Sequence, residues 1–224
     1  VINAESPFNQ FRKNFYSQNG EDGVIQELFN RLQIGSSGWV VEFGAWDGRY
    51  LSNTYYLIES RSGFKTVYIE SDPVKFEKLC RTAAAFPGRI IPICSLVSPE
   101  GKDSLDNILK NTPITHEFDL LSIDIDGMDY HIWEGLKNYR PKIVIIEVNS
   151  SIPPDQEQIH SDSNPIGSSF KSMVRLGQQK GYTLICHTGN VIFIRNDLLV
   201  RLSISEKYKK MFFHPEILFD TSWL

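Results

Sequence analysis

Carboxylates and glycines fill the stretches of this chain best suited to chemistry. The run Trp39 to Gly48, W-V-V-E-F-G-A-W-D-G, joins an apolar segment to Glu42, Gly44 and Gly48. A buried strand that ends in an acid and a glycine turn suits a nucleotide cofactor, because the strand delivers the carboxylate to the rim of a sheet. Gly44 lets backbone approach a ligand that any Cβ would push away. Asn53 and Thr54 follow, where a restarting helix offers free N–H groups to an anion. The same run also reads as a βα turn that needs glycine for geometry alone. A second apolar run, K-T-V-Y-I-E, ends at Glu70 with Ser71 beside it. An acid at the end of strand two in a doubly wound sheet accepts hydrogen bonds from ribose hydroxyls.

Two later runs also end in oxygen donors: Asp124 and Asp126 after F-D-L-L-S-I-D-I, and Glu147 and Asn149 after P-K-I-V-I-I-E-V. Residues two apart point the same way in a strand, so Asp124 and Asp126 share one face if extension persists. Oxygen-only ligands suit Mg²⁺, Mn²⁺ or Ca²⁺ rather than zinc. The plainer reading has Asp126 and Asp129 starting a helix. Asp126, Glu147 and His160 are the catalytic candidates, with His131 and His187 as further bases.

Positioning these groups requires an alternation of strands and helices. Strands are expected over 39–43, 65–70, 89–94, 118–125 and 141–148. Helices are expected over 52–59 and 74–85, in the segment 99–112, around Ile132, Trp133 and Leu136, and around Phe170 to Leu176. Val24, Ile25, Leu28, Phe29 and Leu32 form one helical face, with Glu21 and Asp22 at its start, where carboxylates suit the helix dipole. Upstream, Ser17 and Gln18 are either part of a capping turn or fold over the cofactor mouth. Tyr182 to His187 and Val191 to Arg195 flank a hairpin turn, T-G-N. The pattern predicts an α/β, doubly wound, mostly parallel sheet that ends in a C-terminal β-hairpin. Ligands in such sheets sit beyond the carboxyl ends of the strands, which gathers Glu42, Gly44, Glu70, Ser95, Asp124, Asp126, Glu147 and Asn149 around one crevice. Residues 150–167 are long and polar for a connection and read as a substrate lid. The whole chain reads as one domain: a cap helix over 14–37, a core over 38–195 and a tail over 196–224. The tail is expected to pack on the sheet or on a second subunit, as in a homodimer.

The 224 residues suffice for one large α/β domain. A formal net charge of −4 gives no support for nucleic acid or an anionic membrane as partner. Cys80, Cys94 and Cys186 are too scattered for a disulfide framework, so a reducing, cytoplasmic setting is expected. No apolar run reaches the ~18 residues of a membrane span. A chain that starts with Val rather than Met reads as a trimmed form or as one domain of a longer protein.

The motif Glu42-x-Gly44-Ala45-x-x-Gly48 resembles the first motif of class I S-adenosylmethionine-dependent methyltransferases. The runs L-L-S-I-D-I-D-G-M-D-Y and S-Q-N-G-E-D-G resemble the FkbM-type branch. The likeness covers roughly Tyr16 to Asp197. It implies a seven-stranded sheet, S-adenosylmethionine as cofactor and O-methyl transfer to a hydroxyl of a sugar, nucleotide sugar or glycan precursor. It also implies Gly44 against the cofactor, Asn53 or Thr54 at its methionine carboxylate, Glu70 on the ribose, Ser95 near the adenine and Asp124 near the methionine ammonium. Ser71 and Gln18 complete the expected cofactor contacts. Related sugar methyltransferases with a metal place acids at equivalent strand ends, which gives Asp124, Asp126, Glu147 and Asn149 a candidate Mg²⁺ or Mn²⁺. Trp46 and Asp47 depart from the smaller residues usual at their positions, so the wall beside the cofactor is expected to be more crowded or more polar. Two rivals remain: a metal-dependent glycosyltransferase built on the D-x-D of Asp124 and Asp126, and a non-catalytic binding domain of the same fold.

Overall fold

The computed structural model describes residues 6–125, 127–205, 208–209 and 212–222. Seven strands form one sheet in the order β3-β2-β1-β4-β5-β7-β6. They are β1 (Ser37–Phe43), β2 (Gly63–Glu70), β3 (Ile90–Cys94), β4 (Leu120–Ile123), β5 (Ile143–Glu147), β6 (Tyr182–His187) and β7 (Asn190–Arg195). The first five strands pair in parallel. The hairpin of β6 and β7 adds antiparallel strands beside β5. The sheet is therefore the expected mostly parallel α/β sheet with a closing hairpin.

Alternate residues of the central strands feed two cores, one on each face. Val40, Leu120, Ile143 and Ile145 pack with α1 (Glu21–Arg31), α2 (Tyr55–Ser60) and α3 (Pro73–Ala84). Val41, Leu121, Val144 and Ile146 pack with α4 (Leu105–Lys110), α5 (Asp129–Gly135) and α6 (Phe170–Gln179). Strands covered on both faces become continuous apolar runs, as in I-V-I-I of β5. No described helix is long and apolar enough to cross a membrane.

Two of the boundary shifts matter for the site. The helix expected from Ser52 begins at Tyr55, because Ser52, Asn53 and Thr54 turn their donors onto Glu42. The strand expected to reach Ile125 stops at Ile123, because the Asp129 carboxylate takes the N–H groups of Ile125 and Gly127 into a turn.

The chain order around the sheet reverses between β1 and β4, which are neighbours. There Glu42 pairs with Ser122 and Phe43 with Ile123. A crevice at the carboxyl ends of these two strands is the usual ligand position in this architecture. The tail closes onto the same molecule. The Phe219 ring meets Phe170 and His187, with centroids 5.1 Å away in each case, and Asp220 pairs with Arg12 at 2.9 Å.

Candidate active site

β1 carries Glu42 to the rim, 5% exposed. Its Oε2 accepts from the Ser52 and Thr54 hydroxyls at 2.6 Å each, and its Oε1 from the Asn53 N–H at 3.0 Å. The Asn53 amide reaches the Ser122 hydroxyl at 3.1 Å. The N–H and hydroxyl expected to meet an anion thus hold an anion of the chain itself. Burial raises the Glu42 pKa, while these hydrogen bonds oppose that rise. Sequence reasoning missed Ser52; a hydroxyl ten residues past a motif acid carries no periodic signal.

Gly44 has φ +74°, and a Cβ there would lie 1.8 Å from the Asp124 carbonyl oxygen. Glycine is required because β1 and β4 backbones close against each other at the switch point. Next in the loop, Trp46 is left-handed at φ +48° and half-exposed, an uncommon backbone state for a bulky residue. Its ring meets Tyr50 edge-on at 4.7 Å, with Lys75 Nζ 5.0 Å from its centroid. Asp47 Oδ1 accepts from the N–H groups of Arg49 and Tyr50.

Glu70 ends β2 and is 5% exposed. Its two oxygens accept from the N–H groups of Trp46 and Asp72 at 2.8 Å each, so the carboxylate joins the β1 and β2 loops. Each oxygen keeps acceptor capacity for a further donor. Asp72, not Glu70, caps α3: it accepts from Val74 and Lys75, with Pro73 at the first turn. Ser95 follows β3 and donates its N–H to the Glu70 carbonyl at 3.2 Å. Ser71 is exposed beside it.

Asp124 is exposed immediately after β4. Asp126 lies outside the described residues. Glu147 is half-buried at the end of β5. Asn149 Oδ1 accepts from the Ser151 N–H and hydroxyl at 3.0 and 2.6 Å, and its amide donates to the Ile166 carbonyl. Asn149 therefore ties the start of the 150–167 loop to its end, and its oxygen is not presented to a cation. Among the described residues no group of three or more His, Cys, Asp or Glu side chains is placed to hold a metal ion. Asn149 and its described neighbours do not fit the expected metal site.

His160 sits in the same loop, with its ring over Gly127. A Cβ on Gly127 would lie 2.6 Å from the imidazole Cε1 and 2.8 Å from Nδ1. Its N–H donates to the Ser168 hydroxyl at 3.1 Å, and its carbonyl is 2.9 Å from Nε2 of His131. His160 Nδ1 is buried with no hydrogen-bond partner among the described residues. His131 thus braces His160 through the backbone. His187 is fully buried; Nδ1 accepts from the Asp220 N–H, and Nε2 lies 3.0 Å from the Ser150 hydroxyl. Burial lowers its pKa to about 4, and these contacts make it a structural clasp between the hairpin, the loop start and the tail.

The S-Q-N-G-E-D-G segment turns its acids inward. Glu21 accepts from the Thr188 hydroxyl and the Asn19 N–H, at 2.7 and 2.8 Å, fastening α1 to the hairpin turn. Asp22 gathers the N–H groups of Phe15, Tyr16 and Ser17. Gln18 is exposed, and its carbonyl accepts from Asn14. The structure thus brings Glu42, Gly44, Glu70, Ser95 and Asp124 to neighbouring strand ends at one edge of the sheet.

The Methyltransferase FkbM domain model matches residues 101–184, from the start of α4's segment into β6. No curated protein matches the sequence. Among solved structures, a putative caffeoyl-CoA O-methyltransferase from Staphylococcus aureus is similar with TM-score 0.53 and 14% identity, over 78% of this chain and 82% of that one. The CurJ carbon methyltransferase gives TM-score 0.53 and 9% identity, over 80% of this chain and 53% of its own. TrmK of M. capricolum, bound to S-adenosyl-homocysteine, gives TM-score 0.46 and 16% identity, over 75% of this chain and 65% of that one. The chain thus spans less than two thirds of the length of the latter two proteins. Such identities bear on fold alone. The sequence match is independent of them and falls on the strand ends that hold Asp124, Glu147 and Asn149. By that match residues 101–184 are similar to the FkbM methyltransferase domain, and the sheet has the Rossmann-like methyltransferase fold.

Proposed function

We propose that the chain transfers the methyl group of S-adenosylmethionine to a hydroxyl of a sugar-containing acceptor: a sugar, nucleotide sugar or glycan precursor. The observation that carries this reading is the convergence of Glu42, Glu70 and Asp124 on adjoining strand ends of a chain similar to the FkbM domain over residues 101–184. The residues present fit the donor. Glu42 and Glu70 are buried carboxylates that take part in no ion pair among the described residues. Such a rim favours ribose hydroxyls and positive charge. Glu70 would hold the ribose, with Ser71 and Ser95 on the adenine side, Gly44 and Asp124 toward the methionine end and Gln18 over the mouth. When bound, the sulfonium supplies an electrophilic methyl group.

Beside this rim lies a cleft of about 400 Å³ lined by Gly127, Glu147, Asn149, Ser150, Ser151 and Gly167, among others. Its amide, hydroxyl and carboxylate groups suit a polyhydroxylated acceptor. An alcohol attacks well only as its proton leaves, and a positioned base adds ~10²–10⁴-fold. His160 takes that proton at Nδ1, Glu147 orients the acceptor, and the 150–167 loop covers the reacting groups and excludes water.

Transfer of labelled methyl from S-adenosylmethionine to a panel of free sugars, nucleotide sugars and oligosaccharides tests the reading, with phenols and amines as controls. Label on a sugar oxygen is expected. Label confined to phenols or amines, or none on any acceptor while the donor binds, overturns the sugar assignment.

A further inference from the structure

We propose that Asp22 supplies the counter-charge for the amino group of the donor, acting beside Glu42. This rests on S-adenosylmethionine being the donor, as proposed above. Asp22 is the second residue of α1 and is 2% exposed. One oxygen, Oδ2, accepts three backbone N–H groups at 2.8 Å each, from Phe15, Tyr16 and Ser17. The other, Oδ1, is buried and has no hydrogen-bond partner among the described residues. A buried acceptor left without a donor costs free energy comparable to a lost hydrogen bond, so a folded chain rarely keeps one without use.

The position of Asp22 gives that oxygen a use. The 15–17 turn is clamped onto α2: Phe15 stacks on Tyr56 at 4.0 Å, the Tyr16 ring meets Tyr55 at 4.7 Å, and the Tyr16 hydroxyl reaches Glu59 at 2.7 Å. α2 begins directly after the Ser52 to Thr54 turn that grips Glu42. Asp22 therefore lies on the face of the sheet that α1 and α2 share, the side of the Ser52 to Thr54 turn, and its charge joins burial in raising the Glu42 pKa. Neither carboxylate forms an ion pair among the described residues. Two buried acids without an ion-pair partner among the described residues suit a compact cation. A primary ammonium offers three donors, enough to satisfy Asp22 Oδ1 and a remaining lone pair of Glu42 together. A purely structural Asp22, holding only the 15–17 turn, would make no distinction between ligands with and without an amino group.

Calorimetry with three probes separates the two roles. The probes are S-adenosylhomocysteine, its deamino analogue with hydrogen in place of the amino group, and 5′-methylthioadenosine, which lacks the amino-acid end. In the unaltered protein, removing the amino group is expected to weaken binding about 10- to 100-fold. In Asp22→Asn, S-adenosylhomocysteine is expected to weaken by a similar factor. The deamino penalty should then shrink to within about threefold, with methylthioadenosine unchanged. Undiminished affinity of Asp22→Asn for S-adenosylhomocysteine overturns the proposal, and so does a deamino penalty that persists in full. Asp22→Ser, which keeps an oxygen for the 15–17 turn, is read the same way if Asp22→Asn does not fold. A deamino analogue that binds the unaltered protein as tightly as its parent overturns the proposal without any variant. Failure of the unaltered protein to bind S-adenosylhomocysteine at all would instead remove the donor assignment beneath it.

Discussion

His160 and His187 are both imidazoles near the 150–167 loop, and their surroundings give them different work. His160 has a buried Nδ1 without a described partner, beside the turn after β4. Replacing it with Ala should lower kcat by about 10²- to 10⁴-fold and leave the dissociation constant of the donor unchanged; steady-state kinetics with calorimetry would check both. His187 is enclosed by Phe170 and Phe219 and held by Ser150 and Asp220. Burial holds its pKa at about 4, below the ordinary 6.5. A folded value below the unfolded one means that the unfolded chain takes up the proton first. Its stabilising contribution is therefore complete above pH 6.5 and is lost as pH falls toward 4, by up to about 3 kcal/mol. Urea denaturation between pH 7 and pH 4.5 should show the fall, and His187→Gln should flatten that part of the profile. From sequence His160 stood apart from His187 only by falling in the expected lid; the enclosure of the His187 ring is visible in the fold alone.

Helix and strand termini decide what the site residues face. A strand carries Glu42 at its penultimate position and a helix follows, as the alternation of apolar runs predicts. What periodicity could not show is that residues 52–54 leave the helix to satisfy a buried carboxylate. The same competition shortens β4, where Asp129 draws two N–H groups out of the strand direction. Gly44 was legible as a position that excludes a Cβ, but the neighbour is the Asp124 carbonyl of the adjacent strand. Gly44→Ala places a methyl on that backbone at positive φ and should destabilise the fold by at least about 2 kcal/mol, read as a lowered Tm without any ligand. The 150–167 loop is tied at both ends by the Asn149 side chain, through Ser151 and Ile166. Asn149→Ala should free the loop and raise the acceptor KM several-fold, roughly the loss of one or two hydrogen bonds, with donor affinity unaltered.

At the scale of the whole molecule, the order of the parallel strands reverses between β1 and β4, and Glu42 and Asp124 lie at those two strand ends. The mostly parallel sheet and its closing hairpin were readable from the alternation of apolar runs; the place of the reversal was not. Nor was the inward turn of Glu21 and Asp22, because a helix-start acid looks the same whether it meets solvent or the hairpin turn at Thr188. The central claim is that this rim grips S-adenosylmethionine, with Glu70 on its ribose. Calorimetric titration of S-adenosylmethionine into the unaltered protein and into Glu70→Ala tests it most directly. One-to-one binding is predicted, weakened about 10- to 100-fold in the variant. No heat of binding in the unaltered protein, or equal affinity in both, would contradict it.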